Sequence, residues 1–179
     1  MPGPVFLEGD RITIRVAQPE DNEFLLRLWN DKSVRYQTGL RGPYSAEAFE
    51  DMVAGEHDCR LLPCRDGTPV GDVVLQQVDM DARNAELGYA IHPDEEGQGY
   101  ATEAAELALQ HAFDGIGLHR VWAKVNEGNE ASMRVLEKLG FEHEGVMRDE
   151  LYSKHGEYWD FHYFGILESE WEPDDLRSD

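Results

Sequence analysis

The chain has 179 residues, 41% of them hydrophobic, with 37 Asp and Glu against 16 Lys and Arg and a formal net charge of −21. Length and apolar content support a single domain over 1–179 with a real core, and a chain-wide acidic surface repels nucleic-acid phosphates. Every apolar run falls short of the roughly 18 residues of a membrane span, and the opening "MPGPVFLEGD" is no signal peptide, so no membrane partner and a cytoplasmic location are expected.

The acids run along the whole chain, and the cations are 12 Arg and four Lys: Lys32, Lys124, Lys138 and Lys154. An excess so evenly spread reads as a solvated coat that keeps the protein soluble in high salt, which makes a halophilic source the expectation. The other reading is an acidic groove that draws in cationic substrates.

In chain order, "RITIRVA" (11–17) alternates as a short strand. "PEDNEFLLRLWND" (19–31) puts Phe24, Leu25 and Leu28 on one helical face, and "SAEAFEDMV" (45–53) is a helix capped by Ser45, with Phe49 stacked on Met52 and Val53. Between them, 30–45 is a connection or a lid carrying Arg35 and Arg41. "CRLLPC" and "PVGDVVLQQVD" flank the turn "RDGTP" as a hairpin. Cys59 and Cys64, even with His57 nearby, have neither disulfide-framework nor metal-knuckle spacing, so two structural thiols and no metal are expected. "NAELGYAIHP" is a strand, followed by "DEEGQG" and a helix with Ala101, Ala104, Ala105, Ala108 and Ala112 on one stripe, ending near Gly115. "HRVWAKVN" is a strand, and "NEASMRVLEKLG" is a helix capped by Asn129 and stopped at Gly140. Strands follow near 141–148 and 157–167, and 168–179 reads as a frayed acidic tail.

Gly97 and Gly99 precede the alanine-rich helix. A helix start offers unpaired N–H groups and the positive end of the dipole, and glycines let the backbone approach an anion. Residues 97–102 (Gly97, Gln98, Gly99, Tyr100, Ala101, Thr102) therefore read as a phosphate cradle, or else as an ordinary strand-to-helix turn. The segment has neither the Gly-Lys-Ser/Thr of a nucleotide P-loop nor a full GxGxxG.

"RITIRVAQPEDNEFLLRLWND", "AELGYAIHPDEEGQGYATEA" and "NEGNEASMRVLEKLGFEHEGVMRDELYSKHGEYWD", in that order and spacing, resemble the GCN5-related N-acetyltransferases, and within them the group that acetylates ribosomal-protein N-termini. The resemblance implies an α/β (α+β) fold. Its twisted, mostly antiparallel sheet would have about seven strands, with about four helices and a V-shaped opening between two central strands. It implies acetyl-CoA as co-substrate and an amine as acceptor. That amine would be a protein N-terminus or, alternatively, a polyamine, an amino sugar or an antibiotic. An acyl-CoA-binding regulatory domain without turnover is the reading from another class. Relatives often pair through edge strands, so a homodimer is a further implication. The family loop Gln/Arg-x-x-Gly-x-Gly/Ala falls on Glu96 to Ala101, with Glu96 departing from the pattern. Backbone groups of Ala90 and Ile91 would meet the pantetheine arm, and Asn129 and Ser132 match the family's Asn-x-x-Ser/Ala. Arg134 and Lys138, one turn apart, would reach nucleotide phosphates unless they pair within the helix.

The chemistry adds three demands. The amine must lose a proton, since α-amino groups titrate near 8 and lysines near 10.4; a carboxylate is the natural acceptor for it. The oxyanion needs a donor, for which a backbone N–H near Ile91 would serve. The thiolate needs a proton. Many relatives supply it from a tyrosine at the position of Leu136, which leaves Ser132 as the candidate acid or a packed hydroxyl. Glu86 is the candidate base: with Gly88 and Ala90 it alternates on one face of its strand, opposite Leu87, Tyr89 and Ile91. Glu150 is its rival, because ribosomal-type relatives carry a base after the second helix.

Overall fold

Two central strands run side by side for three residues and then part, and the rest of the chain is arranged around that opening. The computed structural model describes residues 2–39, 42–53, 59–152 and 156–173. The strands are β1 (Val5–Glu8), β2 (Thr13–Val16), β3 (Cys59–Arg65), β4 (Thr68–Pro69), β5 (Gly71–Asp79), β6 (Asn84–Ile91), β7 (Arg120–Asn126), β8 (Glu142–Tyr152) and β9 (Tyr158–Leu167). The helices are α1 (Asn22–Asn30), α2 (Lys32–Thr38), α3 (Ala46–Val53), α4 (Tyr100–Gln110) and α5 (Glu130–Lys138). The sheet order is β1-β2-β3-β5-β6-β7-β9-β8, with β4 on β3. All pairs are antiparallel except β6 with β7. The described residues thus form nine strands and five α-helices, against about seven and about four expected from the sequence.

The parallel pair registers Asn84 with Arg120, Ala85 with Val121 and Glu86 with Trp122, and goes no further. Beyond Glu86, β6 keeps β5 on one side while its other edge faces the gap, which is the expected V-shaped splay. A parallel pair needs a helical crossover, supplied here by α4. Its stripe of Ala104, Ala105 and Ala108 is buried against β5 and β6, small residues letting helix and sheet approach closely. The helix continues into a wider π-helical turn, His111–Ile116, and closes on Gly117 at φ 76°, two residues past the expected Gly115.

Three elements lie outside the sequence reading. β4 falls within the segment expected to be the turn "RDGTP". β1 is a mostly exposed edge strand whose "VFLE" turns only Leu7 toward the core. α2 occupies half of the expected 30–45 connection. Asp31 caps it by accepting from the Ser33 and Val34 amides, and Gly39 ends it at φ 75°. Residues 40 and 41, with Arg41, lie outside the described residues, as do His57, Lys154, the side chains of Met52 and Val53, and 174–179. The start of the expected tail is ordered instead of frayed: Glu168–Glu170 form a 3-10 turn and Trp171 packs on Phe113, ring centroids 6.0 Å apart. Cys59 and Cys64 are free thiols, Cys64 buried, and among the described residues no cluster is suited to a metal.

Candidate active site

Two cavities open on either side of the splay. The first, about 320 Å³, lies over the glycine loop and is lined by Ala90, Ile91, Gly97, Gly99, Tyr100, Ala101 and Thr102, with Ser132 and Val135 opposite. Gly97 and Gly99 are left-handed, at φ 74° and 81°, and Gly99 is the N-cap of α4. The first-turn amides of α4 have no intrahelical partner, which leaves donors unpaired at the loop. A Cβ on Gly97 would meet nothing within 4 Å; one on Gly99 would lie 2.7 Å from Arg11 Nη1.

That arginine is a cation the sequence reading missed. Arg11 Nη1 donates to the Gln98 carbonyl at 2.8 Å and Nε to Glu103 Oε2 at 2.8 Å. Glu103 Oε1 accepts from the backbone amides of Arg11 and Ile12. Charge-assisted bonds of this kind fix a guanidinium firmly, and here they place it at the flank of the loop. No local signal marked it, because its partner, the buried Glu103 in the first turn of the helix, lies 92 residues away.

The other proposed cofactor contacts divide. Asn129 is the N-cap of α5, its Oδ1 accepting from the Ser132 amide at 3.1 Å, and it also lines the cavity; both of its expected roles are compatible with this geometry. Gln98 offers its carbonyl to Arg11 and its side chain stays exposed, outside the lining. Glu96 is exposed at the rim, as its charge demands. Arg134 and Lys138 line neither cavity. Arg134 bonds Glu130 Oε2 at 2.8 Å, the intrahelical pairing weighed against a phosphate role.

The second cavity, about 510 Å³, contains both candidate bases. Glu86, Gly88, Lys124, Glu150 and Phe161 line it, with Trp29, Tyr44 and Arg60 further along. Two irregularities aim the carboxylates. Pairing slips between β5 and β6 after Gln76, where Gln77 is left-handed at φ 52°, and the bulge turns Gln77 Nε2 onto Glu86 Oε2 at 2.6 Å. Pairing slips again in β8 between Met147 and Leu151, with Asp149 at φ 55° and its amide on Asp160 Oδ1; Glu150 sits in that bulge. Burial pushes the Glu86 carboxyl above its ordinary range, against the opposing pull of the Gln76 and Gln77 amides and the Lys124 charge. Glu150 pairs with Lys124 Nζ at 3.3 Å and accepts from Tyr163 Oη at 3.1 Å. Burial and the adjacent carboxylate push that phenol up to about 12.

The cavities share walls at Gln37, Thr38, Tyr89, Asn129 and Ser132. Tyr89 Oη lies 2.8 Å from Ser132 Oγ and 3.2 Å from the Ser132 carbonyl, and burial raises the Tyr89 phenol strongly. The side-chain amides of Asn126 and Asn129 both donate to the Gln37 carbonyl, tying α2 to the end of β7 and the start of α5. Leu136 is fully buried in the core; of the hydroxyls at the seam, Thr38 Oγ1 is bonded to the Val34 carbonyl of its own helix, while those of Ser132 and Tyr89 meet each other. The sequence reading put Tyr89 on the strand face opposite Glu86 and stopped there. A tyrosine directed inward needs a partner for its hydroxyl, and that rule was the missed signal.

The arrangement brings a glycine loop with unpaired helix-start amides, a free strand edge, a buried carboxyl and a hydroxyl pair around one opening. The sequence model of the Acetyltransferase (GNAT) domain matches residues 11–142. The chain is 32% identical over 175 residues to YdaF of Bacillus subtilis, a protein provisionally named a ribosomal N-acetyltransferase, covering 92% of this chain and 95% of that protein. It is 29% identical to the spermidine N(1)-acetyltransferase of Escherichia coli K12 over 79% of this chain and 78% of that one. Among solved structures, the spermidine N-acetyltransferase of Vibrio cholerae in complex with CoA and spermine superimposes with a TM-score of 0.83, covering 90% of this chain and 98% of that one. At 24% identity this likeness concerns the fold.

Proposed function

The chain belongs to the GNAT acetyltransferase family and is an acetyl-CoA-dependent N-acetyltransferase; from that premise we propose that its acceptor is a single primary amine at the end of a chain, a protein N-terminus, and that Glu86 takes the amine's proton. The regulatory, non-catalytic alternative gives way to this family membership.

The observation that carries the reading is the seam at Tyr89, Asn129 and Ser132, where a cradle-bearing cavity meets one that holds a buried carboxyl. The loop suits a pyrophosphate through its amides, with Arg11 supplying the nearby positive charge that Glu96 does not. The unpaired edge of β6 at Ala90 and Ile91 suits an amide-bearing arm added as a strand. In the second cavity the amine gives up a proton to Glu86, whose raised affinity for protons suits a base working near neutral pH. The freed amine attacks the thioester carbonyl, and the thiolate that leaves takes a proton at the seam, where Ser132 Oγ stands.

The charge of the cleft favours one ammonium over several. Its lining carboxylates are Glu86 and Glu150; Lys124 offsets one of them, and Arg60 is already bonded to the buried Asp72 at 2.6 Å. A polyamine needs a carboxylate for each cationic nitrogen, whereas a peptide end brings one ammonium and a neutral backbone that suits the Trp29 and Tyr44 walls. The test is a parallel assay of thiol release with unblocked peptides, the same peptides N-acetylated in advance, and spermidine. Turnover of spermidine exceeding that of every peptide would sink the acceptor assignment.

A further inference from the structure

The second cavity already holds an amine. Lys124 leaves β7 two residues beyond its last pairing with β6, on the face that carries Trp122, and so projects where the splay begins. Its Nζ lies 3.3 Å from Glu150 Oε1 and 5.2 Å from the centre of the Phe161 ring. A carboxylate and an aromatic face together form a cation-holding pair, and Tyr163 braces the carboxylate from behind. The side chain is 35% exposed, within the cleft rather than sealed under it. Of the other lysines, Lys32 and Lys138 line neither cavity and Lys154 lies outside the described residues.

We propose that Lys124 is itself an acceptor: when acetyl-CoA is bound and no substrate amine is present, its Nζ takes the acetyl group. This rests on the reading of the second cavity as the acceptor cleft. The ammonium first gives a proton to Glu86 or to solvent. The neutral nitrogen then forms a bond to the thioester carbonyl carbon and sheds its second proton, the carbon–sulfur bond breaks, and the departing thiolate takes up that one proton to give free CoA. The amide that results carries no charge. It ends the ion pair with Glu150, fills the mouth of the cleft with an acetyl group, and lowers the rate at which an outside amine is served. The protein thereby acquires a mark of having been charged with acetyl-CoA in the absence of substrate.

The full-length protein is incubated with acetyl-CoA alone, and acetylation at each lysine is followed by peptide mass spectrometry, alongside thiol release with an acceptor peptide. Lys124 should be labelled at least about tenfold faster than Lys32 and Lys138, the exposed controls for uncatalysed transfer. An excess of acceptor peptide should suppress the label, and Lys124→Arg should remove it. Labelling of Lys124 at the rate of Lys32, in a preparation that acetylates peptides, overturns the proposal and leaves the acceptor cleft standing. A preparation that acetylates neither its own lysine nor any peptide overturns both.

Discussion

The Tyr89 phenol and the Ser132 hydroxyl stand 2.8 Å apart where the two cavities share their walls. Tyr89 Oη has one proton and two acceptors within reach, Ser132 Oγ and the Ser132 carbonyl. When the proton goes to Oγ, the serine proton is free to face the cleft. In that arrangement Tyr89 sets the direction of the hydroxyl proposed to meet the thiolate, and its own raised pKa keeps it from ionising.

Ser132→Ala should lower kcat by about one to three orders of magnitude with CoA affinity nearly intact, and Tyr89→Phe by about tenfold. If the phenol acts through the serine, Tyr89→Phe should cost nothing more in the Ser132→Ala background. Losses that multiply in the double variant would separate the two residues.

Glu86→Gln should reduce the rate by about two to four orders of magnitude near neutral pH and recover in part as the amine deprotonates on its own at higher pH. In the parent, kcat/KM should fall as pH drops through the raised pKa of Glu86. Stability has the opposite sense. A carboxyl whose folded-state pKa is raised favours the fold while protonated and loses that contribution as pH rises through the folded value. Glu86→Gln should therefore melt no lower than the parent at pH above neutrality. A variant that is fully active, while Glu150→Gln shows the pH-rescued loss, would transfer the role to Glu150.

Gly97→Ala and Gly99→Ala should diverge. Both incur the left-handed penalty of roughly 1–2 kcal/mol in stability, yet only the second drives a methyl to 2.7 Å from Arg11. CoA affinity should fall about tenfold or more for Gly99→Ala, and much less for Gly97→Ala. Equal CoA titrations for the two variants would remove Arg11 from the cofactor site.

Raising potassium chloride from about 0.1 M to about 1 M shortens the screening length from roughly 10 Å to 3 Å. With a net charge of −21 to relieve, the melting midpoint should rise over that range. A midpoint that stays flat or falls would argue against salt adaptation.

What the sequence made legible follows physical lines. Helices with a buried stripe and a cap are where periodicity puts them to within a residue or two: α5 as it stands, and α4 together with the π-helical turn that closes it on Gly117. α2 escaped because Val34 is its one buried side chain and its start depends on Asp31, which reads equally well as the end of α1. β1 escaped because an edge strand exposed on nearly every residue has no alternation to detect. At the site, the glycine loop and Glu86 were legible from local spacing. Arg11, Lys124 and the Tyr89–Ser132 contact were not, since each depends on pairings across 26 to 92 residues of chain. For Arg134 the local alternative weighed from the sequence is the one seen, since a helix offers a nearby glutamate before any ligand arrives.

The carbonyl of Gln37 receives amides from Asn126 and Asn129, and both Gln37 and Thr38 wall the two cavities at once. A single peptide group thus serves as a hinge pin common to two chambers. A ligand that shifts it in one chamber should reshape the other, and whatever free energy the first arrival spends there should reappear in the affinity of the second, because linkage between sites is reciprocal. Acetyl donor and acceptor then cease to be independent visitors. Their dissociation constants should change in the presence of one another by the same factor, whichever is bound first.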